Sequence, residues 1–121
     1  MTKQNVADIF TTAMEGDIDY WCNITKYHWI KLETTNEPDL EGFFATITSP
    51  AGDWSGDKTI NSEVIVRGMK LIASGEVSVR PDIYRQVVEA LAGNVYAVGQ
   101  IDADGADTIV QAGLFGAIVY G

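Results

Sequence analysis

The chain has little sulfur and almost no imidazole. It holds one cysteine, Cys22, and one histidine, His28. A lone cysteine cannot close an internal disulfide, a usage expected of a reducing cytoplasm. Nucleophilic catalysis needs a nucleophile, a base and an orienting group. Here the thiol and the imidazole lie on one strand-like stretch, on the same face and about 20 Å apart by the strand rise. That spacing excludes a Cys/His dyad, and Cys22 reads as a small buried apolar residue. Basic residues are scarce too: 8 Lys and Arg stand against 17 Asp and Glu, for a net charge of −9 and a pI near 4.3. This balance argues against direct binding to nucleic acid or to an anionic membrane, and it suits a partner protein with a basic surface. It falls short of mimicking DNA by charge, which needs more carboxylate and less hydrophobic mass. No run approaches the roughly 20 apolar residues of a membrane-spanning helix. The first apolar run is short and amphipathic, so no signal peptide is expected and the expected location is the cytoplasm. GxGxxG and Walker patterns are both missing.

What is present suits a compact fold. At 121 residues the chain is expected to form one domain, residues 1–121, and 46% of it is hydrophobic. A core of that size needs no metal or disulfide to hold it.

The stretch from Asp17 to Ile30 concentrates the unusual residues, including Tyr20, Trp21, Cys22, Tyr27, His28 and Trp29. It reads as a long strand running on to Leu32, entered straight from a helix over residues 5–15 with Asn5 as its cap. Val6, Ile9, Phe10, Ala13 and Met14 form that helix's apolar stripe, and Gly16 ends it. The strand's alternation is imperfect, so either its register switches at a bulge near Thr25-Lys26 or both faces are partly covered. Glu33, Glu37, Asp39 and Glu41 surround Pro38 in an acidic hairpin loop. Gly42–Thr48 alternates as a second strand, a turn-rich loop carries Trp54, and Lys58–Ile60 is a short third strand.

Helical signals dominate the rest. Asn61-Ser62 caps a helix over Glu63–Ser74. Pro81 opens another that runs to Ala92, with Tyr84, Val87, Val88 and Leu91 as its stripe. Asn94–Gly99 reads as an apolar connection. A last helix after Asp102 is apolar almost throughout, so it is expected to be central. Its Gly113 and Gly116 suggest close approach by a neighbour, and self-association is one way to cover it. Ala117–Tyr120 could close the fold as a buried strand. The order predicts an α+β domain: a small antiparallel sheet of two to three strands with about four helices packed on one face.

Two patterns invite a chemical reading. Asp102, Asp104, Gly105 and Gln111 fall on EF-hand positions, but Gln stands where both end carboxylates belong, so helix capping is the better reading and no metal site is expected. No catalytic residue and no cofactor is expected either. The aromatic set of Tyr20, Trp21, Tyr27, Trp29 and Trp54 reads first as core. If exposed, it would make a binding patch, able with Lys26, Arg80 or Arg85 to stack and pair a small nucleotide.

Ala7 to Gly16 leading into Ile18-Asp19-Tyr20-Trp21, and Asp102 to Gly116 with the closing Val119-Tyr120-Gly121, resemble small uncharacterised accessory proteins of bacteriophages, particularly phages of actinobacteria. The resemblance implies a protein acting in an infected host cell, often an inhibitor of host defence such as an anti-CRISPR. The expected function is therefore non-enzymatic binding of a host or phage protein. The expected contact residues are Tyr20, Trp21, Lys26, Tyr27, His28, Trp29, Glu33, Glu37, Asp39, Glu41 and Trp54. A nucleotide-sequestering protein and a virion or assembly component are the alternatives.

Overall fold

The computed structural model describes residues 2–16, 18–28 and 42–120. Trp29, Glu33, Glu37, Asp39 and Glu41, with the acidic loop they belong to, lie outside the described residues.

Helix α1 spans Lys3–Glu15 and buries Val6, Ala7, Ile9, Phe10, Ala13 and Met14, the expected stripe plus one alanine. It starts earlier than Asn5 suggests, because Thr2 is the cap: Thr2 Oγ1 accepts from the Asn5 N–H at 3.1 Å. Gly16 follows with φ −85° rather than in a left-handed cap. A Cβ at Gly16 would lie 2.8 Å from Thr12 O and 2.9 Å from Ala103 Cβ, so close approach is what favours glycine there.

The long strand does not start where the sequence suggests. Ile18–Tyr20 form one 3-10 turn, and strand β1 covers Asn23–His28. The reason is a local change of period. Ile18, Trp21 and Cys22 are all buried, at a spacing of three and four that a helical turn satisfies and an extended chain does not.

Strand β2 (Phe44–Thr48) pairs antiparallel with β1 and with strand β3 (Lys58–Asn61), giving the order β1-β2-β3. The pairing jumps from Ile24↔Ile47 to Lys26↔Thr46, leaving Thr25 as the extra residue of a bulge. Of the two readings of the imperfect alternation, the register switch is present. It lets Ile24 and Tyr27 share the side of Ile47 and Ala45, while His28 stacks on Phe44 on the other side at 5.2 Å. Cys22, buried in the core, consequently does not share a face with His28. Ala45, Ile47 and Ile60 are fully buried, and Phe44, Thr46 and Thr48 are half-buried.

Helix α2 (Ser62–Ala73) begins at Asn61, whose side chain accepts from the Val64 N–H at 3.1 Å. Helix α3 (Pro81–Leu91) buries Ile83, Val87 and Ala90. The expected stripe is thus rotated: Val87 is inside, but Tyr84 and Val88 face solvent. Asn94–Gly99 is helical, forming most of α4 (Val95–Gln100), because Asn94 Oδ1 caps Tyr96 N–H at 3.0 Å. Helix α5 (Ala103–Phe115) is central, as its composition predicts, and packs chiefly on α2 and α1. The α+β class and the small antiparallel sheet are as expected, with α1, α2, α3 and α5 as the four longer helices and α4 as a short fifth. No helix among the described residues is long and apolar enough to cross a membrane.

The α2–α5 contact answers the question of what covers the last helix. A Cβ on Gly113 would sit 2.1 Å from Val64 O, and a Cβ on Gly68 would sit 2.1 Å from Ile109 O. Gly113 therefore serves packing inside the chain, and Gly116 has a different role, ending α5 in the left-handed region at φ 68°. Ala117–Tyr120 does not form a strand.

Candidate functional site

The expected contact residues divide between two places. Tyr20, Trp21 and Trp54 gather around Asp107 and the segment after α5. Lys26, Tyr27 and His28 lie on β1.

The first group is a closed clasp. Asp107 faces inward from the second turn of α5. Its Oδ1 accepts from Trp21 Nε1 at 2.8 Å and from Gln111 Nε2 at 3.0 Å, and its Oδ2 accepts from the Tyr20 hydroxyl at 2.8 Å. Gln111, one turn on, is almost fully buried and reads the closing segment as a strand partner would. Its Oε1 accepts from the N–H of Val119 at 2.9 Å and of Tyr120 at 2.8 Å, and its Nε2 donates to Tyr120 O at 3.0 Å. This places the Tyr120 ring flat on Trp21, with centroids 5.0 Å apart and planes 8° apart. The Tyr120 hydroxyl donates to Asp53 Oδ2 at 2.6 Å, tying the segment to the loop before β3. Phe115 and Trp54 meet the Trp21 edge at 5.8 and 6.3 Å, and the Lys58 ammonium lies 5.8 Å from the Trp54 centroid and 5.7 Å from that of Phe115. Trp54 Nε1 is buried and has no hydrogen-bond partner among the described residues.

The electrostatics follow from the geometry. Burial, together with the hydrogen bond and charge of Asp107, pushes the Tyr20 phenol up to about 12. The Asp53 hydrogen bond, then burial and the Asp53 charge, do the same for Tyr120. Burial and the charges of Asp107 and Asp19 push the Cys22 thiol up to about 12, while its Sγ donates to Ile18 O at 3.4 Å. A thiol held in that state is a poor nucleophile.

For Trp21 this arrangement bears out the core reading and removes it from the expected contact residues. Trp21 is 3% exposed and stacked on Tyr120, so it offers no ring face to a partner or a base. The capping reading of Asp102 holds: its Oδ1 accepts from the Gly105 N–H at 3.0 Å at the start of α5, while Asp107 serves the clasp. Among the described residues, no group of three or more His, Cys, Asp or Glu side chains is placed to hold a metal ion.

The second group is open. Thr25, Lys26 and Tyr27 of β1 are exposed, while His28 is half-buried. Tyr27 lies against Phe10 of α1 at 5.7 Å, and burial and the charge of Glu15 raise its phenol above the ordinary value. Its ring is fixed at the back and exposed in front, the posture of an aromatic contact residue. Phe10 in turn packs on Phe43 at 4.4 Å.

No protein-family model matches this chain. Searches of curated proteins and of solved structures likewise return no match.

Two concavities lie on the surface of the described residues. One, of 580 Å³, runs along the outer side of α2 past Val66, Arg67, Lys70 and Leu71. The other, of 330 Å³, lies beside the clasp between Tyr20, Arg80, Ile83, Thr108 and Tyr120. Arg80 at its rim is held by carboxylates, 3.2 Å from Asp82 and 3.5 Å from Asp104.

The residues that sequence reasoning missed are Asp107, Gln111, Phe115 and Tyr120. Gln111 had one signal, as the last polar side chain of an otherwise apolar helical run. Arg67 is a further missed residue: its Nε donates to Gly113 O at 2.8 Å, joining α2 to the end of α5.

Proposed function

We propose that this chain is a non-enzymatic phage accessory protein that works by binding another protein, as an inhibitor of host anti-phage defence. The observation that carries the reading is the exposure of Lys26 and Tyr27 on β1, one on each face of the sheet. Lys26 and Tyr27 stand on a strand whose neighbour β2 is anchored in the core, so their backbone is fixed before any partner arrives. The bulge at Thr25 interrupts the regular ladder along this strand. It favours recognition through side chains over addition of a strand. The acidic residues Glu33, Glu37, Asp39 and Glu41 follow β1 in sequence and, with a net charge of −9, suit a basic partner surface. The resemblance of the chain's two ends to phage accessory proteins supplies the setting.

The test is a defence assay. Expressing the chain in hosts that each carry one active defence system should restore phage plating in one of them. Tyr27→Ala with Lys26→Glu should abolish the effect while leaving the melting temperature within a few degrees. The reading fails if plating changes in no host of the panel, or if the double variant acts like the parent.

The 330 Å³ hollow beside Tyr20 and Arg80 supports one second reading, sequestration of a small nucleotide. Asp104 and Asp107 also line it and oppose a phosphate, which makes this the weaker of the two. A nucleotide panel that raises the melting temperature would favour it.

A further inference from the structure

Helix α3 carries more apolar surface than the fold covers. Its core side is Ile83, Val87 and Ala90. Turning about the axis from that side, Leu91 is half-buried, then Tyr84 is 45% and Val88 36% exposed, with Ala92 beyond. Val95 and Tyr96, at the start of α4, are exposed as well, the latter at 81%. These four large side chains make up half of the eight large hydrophobics exposed among the described residues. Scattered apolar residues on a surface are normal, but a stripe one helix long is not.

The polar border of this stripe says what covers it. Arg85 and Glu89 lie one turn apart on the same flank of α3 and carry opposite charge. Neither forms an ion pair among the described residues. With Arg ahead of Glu, the pair is also in the weaker order for support within one helix. Two copies of α3 packed antiparallel about a two-fold axis bring like flanks together, each running in the opposite sense. Arg85 of one copy then meets the partner's Glu89, and the contact occurs twice. The border is therefore complementary to itself.

We infer that this face pairs two copies of the chain, α3 against α3, with Tyr84 and Val88 in the seam and two Arg85–Glu89 contacts at its border. This goes beyond the binding function proposed for β1 and uses none of its residues. The surface is one helix and a turn, at or below the roughly 1,200 Å² at which stable interfaces begin. The dimer is accordingly weak. Each copy carries −9, so pairing needs enough salt to screen the long-range repulsion, a Debye length of about 8–10 Å.

Sedimentation velocity at physiological ionic strength, over a series reaching high micromolar protein, tests this. The parent chain should pass from monomer to dimer. Val88→Asp, at an exposed site, should remain monomeric throughout with an unchanged circular dichroism spectrum. Arg85→Glu and Glu89→Arg should each weaken pairing about tenfold by replacing two attractions with two repulsions. The double variant Arg85→Glu/Glu89→Arg restores both attractions and should return to parental affinity. A parent that stays monomeric overturns the proposal, as does a dimer indifferent to Val88→Asp. A double variant no better than the singles overturns the antiparallel arrangement.

Discussion

Gly68 of α2 and Gly113 of α5 each rest on the other helix's backbone. A Cβ on Gly68 would lie 2.1 Å from Ile109 O and 3.0 Å from Gly113 N, and one on Gly113 would lie 2.1 Å from Val64 O. Neither neighbour is a side-chain tip that could turn aside. The two helices must separate if either residue gains a methyl group. Gly68→Ala and Gly113→Ala are each expected to cost about 3 kcal/mol or more by urea denaturation. Gly99, on the exposed side of α4 with nothing within 4 Å of its would-be Cβ, is the control. Gly99→Ala should gain about 0.4–1 kcal/mol.

Asp107 gathers three donors, so its loss should be felt widely. Asp107→Ala leaves Trp21 Nε1 without its acceptor and takes one of two acceptors from Gln111 Nε2, which keeps Tyr120 O. Hydrogen bonds to a charged group contribute about 1.5–3 kcal/mol each, and the expected loss is about 2–4 kcal/mol in chemical denaturation. Asp107→Asn keeps an acceptor and should recover part of it. It should also let the Tyr20 phenol titrate nearer its ordinary value, readable by ultraviolet difference absorption.

Gln111 replaces a strand partner for the closing segment. The amides of Val119 and Tyr120 are therefore expected to be protected from hydrogen exchange, although their chain has no regular secondary structure. Gln111→Ala should remove that protection and leave the amides of α2 nearly unchanged. Full protection in the variant would show that the Trp21–Tyr120 stack holds the segment by itself.

High pH should undo the clasp. Tyr20, Tyr120 and Cys22 all have folded values raised to about 12, from 10.0 for the tyrosines and 9.0 for the thiol. Each is neutral when protonated, and the fold prefers that form. Their contribution is complete below the unfolded values and is lost as pH climbs towards the folded ones. Thermal stability should hold below pH 9 and then fall steadily to pH 12. Cys22→Ala should delay the start of that fall. Below pH 9 the native thiol should react with a disulfide reagent no faster than the chain opens.

Much of this fold is legible in the sequence, for reasons that are local. Asn61 and Asp102 announce α2 and α5 because a cap acts within three residues. Phe43, Ala45 and Ile47 announce β2 because alternation is a property of neighbours. The bulge near Thr25 shows as a fault in that alternation. Ile18–Cys22 misleads because aromatic and β-branched residues suggest a strand, while burial at a spacing of three and four decides for a turn. The solvent side of α3 misleads because Tyr84 and Val88 are apolar enough to pass for core. The candidate site is less legible. Trp21 and Asp107 stand 86 positions apart, and no period in the chain relates them. The aromatic residues could be named from composition, but whether they faced water depended on Gln111 and on how it holds the segment after α5.

The bulge at Thr25 has a bearing on growth as well as on recognition. A regular, exposed edge strand offers each incoming copy the same ladder, and addition can repeat without end. An extra residue in β1 spoils the match for any strand that is itself unbulged, and β3, at the opposite edge among the described residues, is only four residues long. Strand-by-strand growth into a fibril is thereby obstructed at both margins of the described sheet. An association through α3 consumes its own surface when it forms, so it stops at two. At high concentration the solution should stay clear.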